Sequence, residues 1–114
     1  MLRDAAAYVA GHDVWPDPAR KLRQAKQALG FAERLAASGD DPALREQVRG
    51  ALSLTARWWL LAYDVFPLAR DELPAQLLQT RQIALARALE SSIHDRPDIA
   101  ALTASLATAR ALTG

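Results

Sequence analysis

Cysteine is absent from the 114 residues, which excludes both a disulfide framework and a thiolate metal site. Histidine occurs only at His12 and His94, too few to complete a zinc tetrad. No HExxH, Glu-x-x-His or DxDxDG pattern places carboxylates or imidazoles at metal-ligand spacing, so neither a metal nor another cofactor is expected. The five glycines never gather into GxGxxG or a P-loop, and no serine sits in a GxSxG elbow. Excess charge of one sign is also missing. Fourteen basic side chains against 13 acidic ones leave a formal charge of +1, which argues against a nucleic-acid binder that works through bulk positive charge. No apolar run reaches the roughly 18 residues of a membrane span. Met1-Leu2-Arg3-Asp4 has neither the basic nor the apolar region of a signal peptide. A soluble cytoplasmic protein without membrane contact is therefore expected. One small domain of this length leaves roughly a third of its unfolded surface exposed after folding. Burial against a partner or a second copy would add stability.

What the chain has is alanine and leucine, 25 and 18 of them, with valine and isoleucine sparse and no sustained alternation of apolar and polar residues. That composition predicts an all-α fold. Asp17-Pro18 and Asp41-Pro42 each set a capping carboxylate before a proline suited to the first helical turn. From the first start, Leu22, Ala25, Leu29, Ala32 and Ala36 recur at helical spacing until Ser38-Gly39. From the second, Leu44, Val48, Leu52, Thr55, Trp59 and Ala62 make one stripe, and Leu54, Trp58, Leu61 and Val65 another. Pro67 is expected to end this helix, with Phe66 to Arg70 as a packed connector. A third helix should begin near Asp71-Glu72 and run through Leu77, Leu78, Leu85, Leu89 and Ile93. His94 to Asp98 interrupts it, and a fourth carries Ile99, Leu102, Leu106, Ala109 and Thr113. Short connections predict an up-down bundle of four helices over residues 17–114. Residues 1–16 are expected to add a short helix and a lead-in, whose Trp15 staples the first bundle helix.

The most conspicuous segment is Trp58-Trp59-Leu60-Leu61-Ala62-Tyr63. Adjacent indoles on a helix point about 100° apart and do not face the same neighbour. Either helix two is central and buries both against different elements, or one ring faces a partner or an apolar pocket, with Tyr63 beside it. Asp40-Asp41 and Asp71-Glu72 sit at helix starts, where the exposed amides explain them. Arginine is the abundant polar residue, and most arginines are expected on solvated faces balancing Glu33, Glu46 and Glu90. Arg87 and His94 stand apart, because seven residues is about two helical turns and puts both on one face. An arginine that holds a phosphate beside a histidine acting as general acid or base suffices to cleave RNA without a metal. The alternative is a surface arginine and a histidine placed against the negative end of the helix dipole.

The hairpin running from Ala25-Lys26-Gln27-Ala28-Leu29 through Leu35 to Asp40, the segment Ala51 to Leu61, and the connector Phe66 to Leu73 leading into a helix resemble the HEPN domains (higher eukaryotes and prokaryotes nucleotide-binding). These are small helical bundles often paired with minimal nucleotidyltransferases, and the resemblance covers about residues 17 to 95. Nuclease members of the family carry an arginine and a histidine with four to six residues between them, which Arg87 and His94 match with six. Ala88 departs from the polar residue that usually follows the arginine. The resemblance implies one of two functions. The first is a non-catalytic module that binds nucleotide or substrate or partners a nucleotidyltransferase. The second is a toxin-like ribonuclease, dimeric, with Arg87 and His94 catalytic. The departure at Ala88 favours the first. A third reading, independent of the family, is a helical dimerisation or protein-interaction module using Trp58 or Trp59.

Overall fold

The structure is a computed structural model and describes residues 16–39 and 41–114, with Asp41 described by its backbone alone. The N-terminal helix expected within residues 1–16, the Trp15 staple, and the capping roles of Asp40 and the Asp41 side chain lie outside what is described. The described residues are all-α, with helices α1 (Pro18–Ser38), α2 (Asp41–Ala62), α3 (Leu73–Gln79), α4 (Ile83–His94) and α5 (Ile99–Thr113), and a single 3-10 turn at Arg70–Glu72. No described helix is long and apolar enough to cross a membrane.

Local chemistry sets most boundaries. The Asp17 carboxylate accepts from the Ala19 N–H at 3.1 Å with Pro18 at the first helical position, and Asp98 accepts from Ala101 N–H at 2.8 Å to start α5. Gly39, at φ 80°, ends α1 by donating its N–H to Leu35 O at 3.0 Å. Of the residues expected to face the core, Ala25, Leu29 and Ala32 of α1, and Leu44, Val48, Leu52 and Thr55 of α2, are buried. Leu29, Ala32, Leu44, Val48 and Leu52 share one core with Leu85 and Leu89 of α4 and Leu102, Leu106 and Ala109 of α5. Thr55 satisfies its hydroxyl within the helix by donating to Ala51 O at 2.9 Å, so a polar atom enters the core without an orphaned group.

The third helix differs from expectation: it is two helices, α3 and α4, separated at Thr80 to Gln82. Leu73, Leu77, Leu85 and Leu89 are all fully buried. On one continuous helix Leu73 and Leu89 would point about 160° apart, at roughly 100° per residue. Breaking the helix lets both leucine pairs reach the same core. The break is a Schellman turn: Gln82 N–H donates to Leu77 O at 2.9 Å and Arg81 N–H to Leu78 O at 3.0 Å. It places Arg81 at φ 64°, a conformation that costs a non-glycine residue about 1–2 kcal/mol. Gln82 then caps α4, its side chain accepting from Leu85 N–H at 3.4 Å.

Helix α2 also ends earlier than Pro67. A second Schellman turn closes it, with Val65 N–H on Leu60 O at 2.8 Å, Asp64 N–H on Leu61 O at 3.0 Å, and Asp64 at φ 62°. Aspartate tolerates that region better than most residues. In the connector that follows, Pro67 is buried as expected, whereas Phe66 and Leu68 are largely exposed. Polar contacts hold it instead. The buried Gln76 side chain accepts from Leu68 N–H and donates to Phe66 O, both at 2.9 Å, and Arg57 Nη1 donates to Leu68 O at 2.9 Å. Burial lowers the Arg57 pKa, and the charge of Arg70 lowers it further.

Candidate functional site

Helix α4 buries Leu85, Ala86, Leu89 and Ser92, which turns Arg87, Glu90 and His94 outward. Arg87 is exposed and, with Glu90, lines an open groove of about 510 Å³ between α3 and α4. Pro74 and Leu78 come from α3, and Ile83 and Ala86 from α4. Leu78 was expected to join the core stripe of a continuous third helix. With α3 ending at Gln79, Leu77 takes the inward position and Leu78, one residue on, is 53% exposed; Ile83 is 50% exposed. The groove therefore has a partly apolar lining with a cation and an anion on its α4 side.

His94 is the last residue of α4, and its Nε2 lies 3.4 Å from Glu90 Oε2 with both side chains 56% exposed. Glu90 thus stands between the two residues that the spacing paired, engaging the imidazole while Arg87 faces the groove. Among the described residues no hydrogen bond joins Arg87 to His94.

At the C-terminal end of α2, Trp58 and Trp59 are both half-buried and meet edge to face, with ring centroids 6.2 Å apart and planes at 78°. Trp59 packs against the core, donates Nε1–H to Thr80 Oγ1 at 3.0 Å, and stacks on Tyr63 with centroids 4.7 Å apart. Thr80 in turn donates its hydroxyl to Leu77 O at 2.9 Å. Trp59 therefore pins the α3–α4 turn to α2. Tyr63 covers its outer face and is 55% exposed.

Sequence reasoning missed the tasks of three arginines. Arg57 holds the α2–α3 connector, as above. Arg45 donates Nη1–H to Pro97 O, and Arg49 donates Nε–H to Ser92 O at 3.0 Å and Nη1–H to Glu46 Oε1 at 3.0 Å. The signal in the sequence was that each directly follows an apolar residue of α2 (Leu44, Val48 and Ala56) rather than sitting in a run of like charge. Glu33 and Arg110 do balance each other as charges, but across helices: Arg110 Nη2 and Nε donate to the two Glu33 oxygens at 2.8 and 3.1 Å, tying α5 to α1. The hydrogen bonds from Arg110 hold the Glu33 pKa below its ordinary value and raise that of Arg110. Among the described residues no group of three or more metal-ligating side chains is gathered. Compared with family models, curated proteins and solved structures, the chain matches none.

Proposed function

We propose that the chain is a non-catalytic HEPN-like helical module that docks a protein partner, a minimal nucleotidyltransferase, on the α3–α4 groove. One observation carries this reading: two large aliphatic side chains, Leu78 and Ile83, stand about half exposed at a groove flanked by Arg87 and Glu90. Covering the exposed half of one such side chain contributes about half of the roughly 1.5–3 kcal/mol that full burial gives, and a flanking pair of opposite charges gives a partner its orientation. The bundle arrangement of the family is part of the same proposal. The departure at Ala88 from the pattern of the family's nuclease members supports the non-catalytic version.

The test is co-purification with a nucleotidyltransferase encoded beside this chain, followed by titration of the two proteins. Leu78→Asp with Ile83→Asp should weaken the complex at least about tenfold and leave the helical circular dichroism unchanged, since neither side chain belongs to the core. Equal binding by the double variant would remove the groove from the proposal. RNA cleavage in EDTA that disappears in Arg87→Ala and His94→Ala would replace the proposal with the ribonuclease. A dimer weakened by Trp58→Ala, with no affinity for the nucleotidyltransferase, would replace it with a self-association module.

A further inference from the structure

On the side of α2 facing the α4–α5 connector, Arg45 and Arg49 lie one turn apart and point the same way. Arg45 is anchored on Pro97 O, and Arg49 on Ser92 O and Glu46. These bonds fix both guanidiniums yet use only some of the five N–H groups each carries. Arg96, on the connector, lines the same hollow, and its side chain has no hydrogen bond or ion pair among the described residues. The hollow measures about 150 Å³ and its other polar walls are Ser92 and Asp95. The Ser92 hydroxyl is committed to Leu89 O at 2.8 Å, and the Asp95 carboxylate has no ion pair among the described residues. Three cations thus face one carboxylate. Like charges at i and i+4 on a helix repel by a few tenths of a kcal/mol, and of the three only Arg49 has a carboxylate bonded to it among the described residues.

We infer that this hollow binds a phosphate group through Arg45, Arg49 and Arg96. A tetrahedral oxyanion presents acceptor oxygens in several directions at once, which suits guanidinium forks converging from a helix and a connector. The volume equals roughly five water molecules at about 30 Å³ each, room for one such group and not for a base or sugar. The rest of a nucleotide would lie outside the hollow. The inference goes beyond the docking proposal and does not rest on it, since the hollow shares only Asp95 with the groove.

The experiment is an NMR titration of the full chain with inorganic phosphate at constant ionic strength, with chloride as the reference. Wild type should show saturable shifts at the α4–α5 connector with phosphate and none with chloride. Arg96→Gln should weaken phosphate binding roughly tenfold, the loss expected for one charge-assisted bond, without lowering the melting temperature of the free protein, because the Arg96 side chain makes no hydrogen bond or ion pair among the described residues. Asp95→Asn should tighten binding several-fold by removing the opposing charge. Arg23→Gln, an exposed change on α1, should alter neither. Absence of saturable binding, unchanged affinity in Arg96→Gln, or weaker binding in Asp95→Asn would each overturn the site. A nucleoside monophosphate that binds through the same shifts more tightly than phosphate identifies a nucleotide as the source of the group; equal affinity identifies free phosphate. Failure of the wild-type chain to bind the nucleotidyltransferase, with phosphate binding intact, would refute the docking groove alone.

Discussion

Gln76 is the side chain on which the link between α2 and α3 depends, and its two hydrogen bonds allow a sharp test. Its amide is 8% exposed and serves Leu68 N–H and Phe66 O at 2.9 Å each. Gln76→Leu keeps the volume but removes the partner that this side chain gives to Leu68 N–H and Phe66 O. Each such loss costs roughly 1–3 kcal/mol when fully buried. Because the Phe66 and Leu68 side chains lie at the surface, water reaches part of this backbone, and about 2 kcal/mol in total is the expected cost. Gln76→Glu adds a signature that simple loss of packing does not have. Its carboxylate still accepts from Leu68 N–H but sets a second oxygen against Phe66 O, while the protonated acid restores a donor there. The folded-state pKa of the new carboxyl should therefore rise above its unfolded value of about 4.3. A raised carboxyl pKa means the variant is nearly native in stability below the unfolded value and loses stability as pH rises through the folded one. Urea unfolding of wild type and both variants at about pH 4 and about pH 7.5 measures this as a difference from wild type at each pH. If Gln76→Glu shows the same deficit at both pH values, or Gln76→Leu unfolds at the wild-type urea midpoint, the clamp is not what holds the connector.

Two further expectations follow from the backbone and the charges. Arg81→Gly should stabilise the chain by about 1 kcal/mol, since glycine reaches φ 64° without steric cost, although its own greater unfolded-state freedom offsets part of the gain; a lower melting temperature would contradict the turn geometry. Glu33, whose pKa is depressed by its hydrogen bonds from Arg110, contributes stability that is present above its unfolded pKa and lost as pH falls through the folded one. Both side chains are more than a third exposed, so the contribution is no more than about 1 kcal/mol and should shrink in high salt. Arg110→Gln should flatten the acid limb of the stability profile, and an unchanged limb would show that the pair is idle.

The parts of the fold that were legible in the sequence are those fixed by local chemistry. Asp17-Pro18, Ser38-Gly39 and the His94–Asp98 interruption mark their boundaries within a residue or so, because caps and prolines act on their own backbone. The α3–α4 break carries no glycine or proline and was missed. It is imposed by tertiary demand, and its trace is arithmetic: Leu73 and Leu77 form one i,i+4 pair, Leu85 and Leu89 another, and the two pairs are out of phase on a single helix. The same break explains why the groove was invisible. Leu78 reads as a member of the core stripe until the turn at Thr80 ends α3 and leaves it, with Ile83, half uncovered. The Trp58–Trp59 pair was recognised as needing two environments, but not that Thr80 would supply the indole acceptor, since a contact 21 residues away leaves no local pattern.

The arginines show where fold and binding separate. Arg57 makes a single task of its charge, holding Leu68 O, and Arg110 is spent on Glu33. Arg45 and Arg49 are accounted for by the carbonyls of Pro97 and Ser92, the latter belonging to the last turn of α4, whose C=O groups lack helical partners. Anchoring a connector explains one side of each guanidinium and would need no third cation nearby. Arg96 is that third cation: it braces no carbonyl, pairs with no carboxylate among the described residues, and still lies against the same hollow. A chain with only the fold to maintain would gain from a neutral or acidic residue there, by relief of repulsion with Arg45 and Arg49. Arg96→Glu separates the two demands. It should raise the melting temperature of the free protein by a degree or more, through attraction worth up to about 1 kcal/mol, and abolish phosphate binding. A variant that bound phosphate as wild type does would show that Arg96 belongs to neither.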